Sequence, residues 1–126
     1  MHSLVIPSGP EAPSVGLRAL DGWLDSVPSE VGERVRLAAG EALGNAVDHG
    51  DGTPIRLTWT ARDGGGRLCV HDGGRFDPTR LGRPSLPDDP MATGGRGLYI
   101  LSAVADGLSR SADNGLCLDF VTRDAG

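Results

Sequence analysis

Residues 28–50, PSEVGERVRLAAGEALGNAVDHG, hold the longest helical period in the chain, and a helix of that length must bury one side against something. Pro28 and Ser29 supply a start signal and Gly50 a stop. At about 100° per residue, Val31, Val35, Ala39, Ala42, Leu43 and Ala46 cover one arc, and Glu41, Asn45 and His49 form a narrow strip along its border. An acid, an amide and an imidazole placed there either bond to neighbouring backbone or look into a cavity. Taken singly, each has a plain reading: a Glu or Asn on a helix is usually solvated, and a lone His caps or packs more often than it reacts.

The segments around this helix supply what it can pack against. HSLVI at the start reads as a short strand, and VGLRALDGWLDSV places Val15, Leu17, Leu20, Trp23, Leu24 and Val27 at helical spacings. PIRLTWTAR and RLCVHD alternate around DGGG, a β-hairpin with a somewhat long loop. Residues 73–95 then carry four Pro and five Gly with little periodicity, a length of loop that functional lids or disordered segments have. RGLYILSAVAD restores helical spacing through Leu98, Leu101 and Val104 or Ala105, and GLSRSA and GLCLDFVTR around DNG close a second hairpin. The expected order is β-α-α-β-β-loop-α-β-β. Antiparallel hairpins with helices over one sheet face make an α+β, two-layer α/β sandwich.

Composition narrows the function classes. The 126 residues suit a single domain, 1–126, that needs no metal or disulfide staple. A net charge of −5, with all twelve basic residues scattered arginines, argues against a nucleic-acid partner. No apolar run approaches the roughly 20 residues that span a bilayer, and the N-terminus lacks a signal-peptide pattern, so a cytoplasmic protein is expected. Cys69 and Cys117 both fall in strand-like stretches; they could be neighbours, but buried free thiols are the expected state.

Three constellations carry chemistry. Asp72 ends an apolar strand and precedes Gly73 and Gly74; its carboxylate can accept from an exocyclic amine while glycines let a flat ring approach, and a plain Asp-Gly turn explains the same residues. GGRGLYIL sets Gly94, Gly95 and Gly97 before a helix, so free N–H groups and the positive helix end could meet a phosphate, with Arg96 adding charge; a hinge for the preceding loop is the other reading. Asn45 offers an amide oxygen for Mg²⁺, and Glu41 a carboxylate that can take a proton from a hydroxyl or water.

The order E-x-x-x-N-A-x-x-H on a helix, D-x-G after a strand, a long Gly/Pro-rich loop and G-G-x-G-L at a helix start resembles the GHKL ATPase superfamily, which includes the ATP-binding parts of gyrase and histidine kinases. Glu41, Asn45 and His49 match its N box, Asp72 and Gly74 its first glycine box, and Gly95 and Gly97 its second. EALGNAVDHG, FDP at Phe76 to Pro78 and GGRGLYIL make the chain most similar to bacterial anti-sigma-factor serine/threonine kinases, with no room left for a phosphoacceptor helix hairpin.

That resemblance implies the Bergerat fold and a nucleotide site for ATP or ADP with Mg²⁺. It implies that Asn45 holds the metal, Glu41 is the general base and Asp72 binds the adenine amino group. His49, Gly74, Phe76, Gly94, Gly95, Arg96, Gly97 and Leu98 complete the nucleotide contacts under a lid at about 79–95. The implied partners are a sigma factor and an anti-sigma-factor antagonist, and the implied assembly is a homodimer. The alternatives are a nucleotide-binding partner-switch module without kinase activity and a stand-alone histidine-kinase-like ATPase domain. Two features depart from the family pattern: Asp72 to Phe76 is one residue shorter than D-x-G-x-x-F-D-P, and Leu116 or Cys117 stands where the last hairpin has Thr.

Overall fold

The computed structural model describes residues 1–49, 52–71, 95–110 and 115–122, with backbone alone at 49 and 95–99. Its elements are β1 (His2–Ile6), α1 (Ala12–Trp23), α2 (Ser29–His49), β2 (Ile55–Arg62), β3 (Gly65–His71), α3 (Gly95–Val104), β4 (Gly107–Arg110) and β5 (Leu116–Phe120), the order read from the sequence. The strands form one five-stranded sheet in the order β1-β2-β3-β5-β4, antiparallel at every neighbour.

Alternation along the strands separates two faces. Ile55, Leu57 and Trp59 of β2, Leu68 and Val70 of β3, and Leu116, Leu118 and Phe120 of β5 point into a single core with the helices. Ser3, Arg56, Thr58, Thr60, Arg67, Cys69 and Cys117 line the other face. α2 lies across the middle of the apolar face, burying Val31, Val35, Ala39, Ala42, Leu43 and Ala46 as its periodicity requires, and Ala38 with them. On α1 the buried line is Ala12, Gly16 and Leu20; Val15, counted with the apolar face in the sequence, is exposed. This is the two-layer sandwich.

Two local features differ from the sequence reading. The β2–β3 loop is only Asp63–Gly64, with Arg62 paired to Gly65 and Gly64 at φ 71°. Gly65 and Gly66 belong to the strand and leave room for close neighbours: the backbone of Phe120 and Val121 lies against Gly65, and the fully buried Trp59 ring covers Gly66, where a Cβ would come within 2.5 Å of it. Trp59 in turn leans on Phe120, with centroids 6.5 Å apart.

The cysteines are not free thiols, as the sequence led one to expect. Cys69 and Cys117 are direct cross-strand partners of β3 and β5, with Cα atoms 4.2 Å apart, and they form a disulfide. That spacing is the close one of a non-hydrogen-bonded antiparallel pair, where both side chains rise from the same face. Among the described residues no helix is long and apolar enough to cross a membrane.

Candidate functional site

The border strip of α2 is where its periodicity put it. Glu41 and Asn45 are half-buried, between the buried Ala38, Ala42 and Ala46 and the exposed Asp48. Arg34, seven residues before Glu41, stands two turns back on the same strip, and its contacts show what the strip faces. Its Nη1 donates to the Val104 carbonyl at 2.9 Å and to Asp106 Oδ2 at 3.0 Å, and its Nε donates to Glu30 Oε1 at 2.6 Å. Nη2 donates to the Val121 carbonyl, and the guanidinium lies 5.9 Å from the Phe120 ring centroid. Burial works against its charge, yet the bonds and charges of Glu30 and Asp106 together raise its pKa above the ordinary arginine value.

These contacts fix the direction of α3. Val104 is its last residue, so the C-terminal end of α3 sits at the N-terminal part of α2, and the two helices pack against one another. At about 1.5 Å per residue, stepping back from Val104 to Gly95 covers roughly 14 Å, and stepping forward from Arg34 to Asn45 roughly 17 Å. The first turn of α3, Gly95 to Gly97, therefore comes level with the stretch of α2 that carries Glu41 and Asn45. The N–H groups of that turn, which have no acceptor within the helix, and the positive end of the helix dipole lie at the same level.

The sheet converges on this end as well. Val70 pairs with both Leu57 of β2 and Leu116 of β5, so the end of β3 and the starts of β2 and β5 lie side by side. β1 ends there at Ile6, opposite Ile55. α2 finishes at His49 shortly before β2 starts, and α1 begins shortly after β1 ends, so both helices have a terminus at this end. The opposite end holds the Asp63–Gly64 turn and the Arg34 contacts.

Of the residues singled out in the sequence, Glu41 and Asn45 are brought together fully described. For His49, Gly95, Arg96, Gly97 and Leu98 the helical backbone is described and the side chains are not. Asp72, Gly74, Phe76, Gly94 and the remainder of the 79–95 segment lie outside the described residues. Leu116, one of the two residues in the place of the family's Thr, is buried on the helix side of β5, whereas Cys117 faces the other way into the disulfide. Arg34 was missed. Its spacing from Glu41 was the available signal, a lone Arg on the border of an Ala and Val face.

The family model of the histidine kinase-like ATPase domain matches residues 6–122. The chain belongs to this family. It is thus a GHKL-type domain, which supports ATP as its ligand and chemistry at a phosphoryl group. No curated protein matches the chain at a significant level. The donors of this ATPase-family domain also suit Mg²⁺: Glu41 and Asn45 both offer oxygen from a half-buried strip, and such an ion takes one or two protein oxygens and is completed by phosphate and water.

Proposed function

We propose that this domain is an ATP-dependent protein serine/threonine kinase and anti-sigma factor, which sequesters a sigma factor and phosphorylates the antagonist that competes for it. The observation that supports the reading best is Glu41 and Asn45, one turn apart on a half-buried strip level with the first turn of α3. In this assignment Asn45 holds Mg²⁺. Asp72 accepts from the adenine amino group, with Gly74 leaving room for the ring and His49 and Phe76 bordering it. The N–H groups of Gly94, Gly95, Gly97 and Leu98, with Arg96, receive the phosphates. Bound ATP supplies the phosphoryl group; Glu41 takes the proton that leaves the attacking seryl or threonyl hydroxyl.

Incubation with γ-labelled ATP and candidate antagonist proteins encoded nearby tests this. Label should appear on a Ser or Thr of one antagonist, and the sigma factor should bind the unmodified domain. If ATP and a sigma factor bind but no protein is ever labelled, the domain is a sequestering module without phosphoryl transfer. One observation favours that second reading: apolar Leu116 is buried on the helix side of β5 at the site end, where a hydroxyl could have served the adenine.

A further inference from the structure

We propose that Arg34 is a positioning residue for the phosphate-binding turn: by clasping the far end of α3 it sets how far that helix slides along α2, and so where its N–H groups stand relative to Asn45. The inference rests on the nucleotide reading above and adds a residue that matches no box of the family.

α3 is a short helix, ten residues, entered from a long Pro- and Gly-rich segment and left through the four-residue strand β4. Its buried contacts include Leu101 and Ala105, just past its end. Apolar contact is non-directional, so it does not aim the end of a helix as directed bonds do. A guanidinium is different, because its donors leave in fixed directions within one plane. The Arg34 fork reaches the Val104 carbonyl that ends α3, the Asp106 carboxylate two residues on and the Val121 carbonyl after β5, while Glu30 holds its Nε from α2 itself. Asp106 is held from a second side, since its Oδ2 accepts the Val121 N–H at 2.7 Å and its own N–H donates to the Asp119 carbonyl at 2.8 Å. The Arg34 side chain is itself only 11% exposed, and its bond to the Val104 carbonyl is the most sheltered of the set, while those to Glu30, Asp106 and Val121 lie at the surface. A cation at a helix C-terminus also complements the dipole whose positive end is the phosphate-facing turn.

A helix of this length moves as a rigid rod, so a slip at Val104 appears undiminished at Gly95. Misplacement of about 1 Å at a site can cost as much as 10²-fold in rate. The clasp thus acts on the phosphates and leaves the adenine end, supplied by β3 and β5, alone.

The test compares adenosine, ADP and ATP binding, with Mg²⁺, to the wild-type protein, Arg34→Met and Asp106→Asn. Arg34→Met keeps the aliphatic length and removes the fork. Asp106→Asn, at an exposed position, weakens one arm of the clasp and keeps the experiment decisive if Arg34→Met fails to fold. The expected result is a loss of ADP and ATP affinity of roughly 2- to 30-fold in a folded variant, with adenosine affinity unchanged. Equal weakening of adenosine and ATP, or no change in either folded variant, overturns the inference and leaves the nucleotide reading standing. A wild-type protein that binds none of the three overturns both.

Discussion

Glu41 and Asn45 sit one turn apart in similar half-buried surroundings, yet the chemistry proposed for each makes them separable. If Glu41 removes the proton from the attacking hydroxyl, Glu41→Ala lowers phosphoryl transfer by about 10²- to 10⁴-fold with nucleotide binding nearly intact, because a base acts chiefly in the transition state. Asn45→Ala loses the Mg²⁺-dependent part of binding, and binding and transfer fall together. Parallel measurement of ATP affinity and of phosphate incorporated into the antagonist separates the two patterns. Were the strip merely structural, both changes would be nearly silent, since Ala is the better helix former at either position. Transfer at the wild-type rate in Glu41→Ala would remove that residue from the chemistry.

Among the elements, β3 and β5 carry the strongest commitment, being joined by backbone pairing and by the Cys69–Cys117 bond across a sequence separation of 48. Closing a loop of that size restricts the unfolded chain, and the usual gain is about 2–4 kcal/mol. Reduction should therefore lower the melting temperature of the wild-type protein by several degrees and leave a Cys69→Ser/Cys117→Ser variant unmoved; identical melting curves with and without reductant would mean that the bond contributes nothing. The same pair marks the limit of what the sequence discloses. Helical period located α2 and its border strip, alternation located the first hairpin and the DNG turn the second, because those signals are local. That Cys69 faces Cys117 depends on the β3–β5 register, which is set across the whole α3 and β4 excursion. Gly65 and Gly66 read as turn residues for a related reason: what lies against them, the backbone of Phe120 and Val121 for the first and the Trp59 ring for the second, comes from other strands. Arg34 could be noticed by its spacing from Glu41, but what it bonds was illegible, since its partners at Val104, Asp106 and Val121 lie about 70 or more residues away in the chain. Asp72 and the glycines at the start of α3 carry weight in the sequence only as an ordered set of motifs, the form in which family membership is written, and their roles are part of the proposal.

For the molecule as a whole, a ligand that binds only the folded state must stabilise it. Mg-ATP or Mg-ADP at about 100 times its dissociation constant adds roughly 2.7 kcal/mol, several degrees of melting temperature in a domain of this size. A thermal scan at millimolar nucleotide checks this, and a folded protein with no shift would take ATP out of the account. The strand order has a consequence for the chain while it is being made. β5 lies between β3 and β4 although it is the last strand in sequence. β1, α1, α2, β2 and β3 can therefore assemble on the ribosome as soon as residue 71 is clear, but the outer edge of β3 has no partner until Leu116–Phe120 emerges. At roughly 5–20 residues per second that interval is several seconds, during which a bare strand edge carrying an unoxidised Cys69 is open to any other nascent chain nearby.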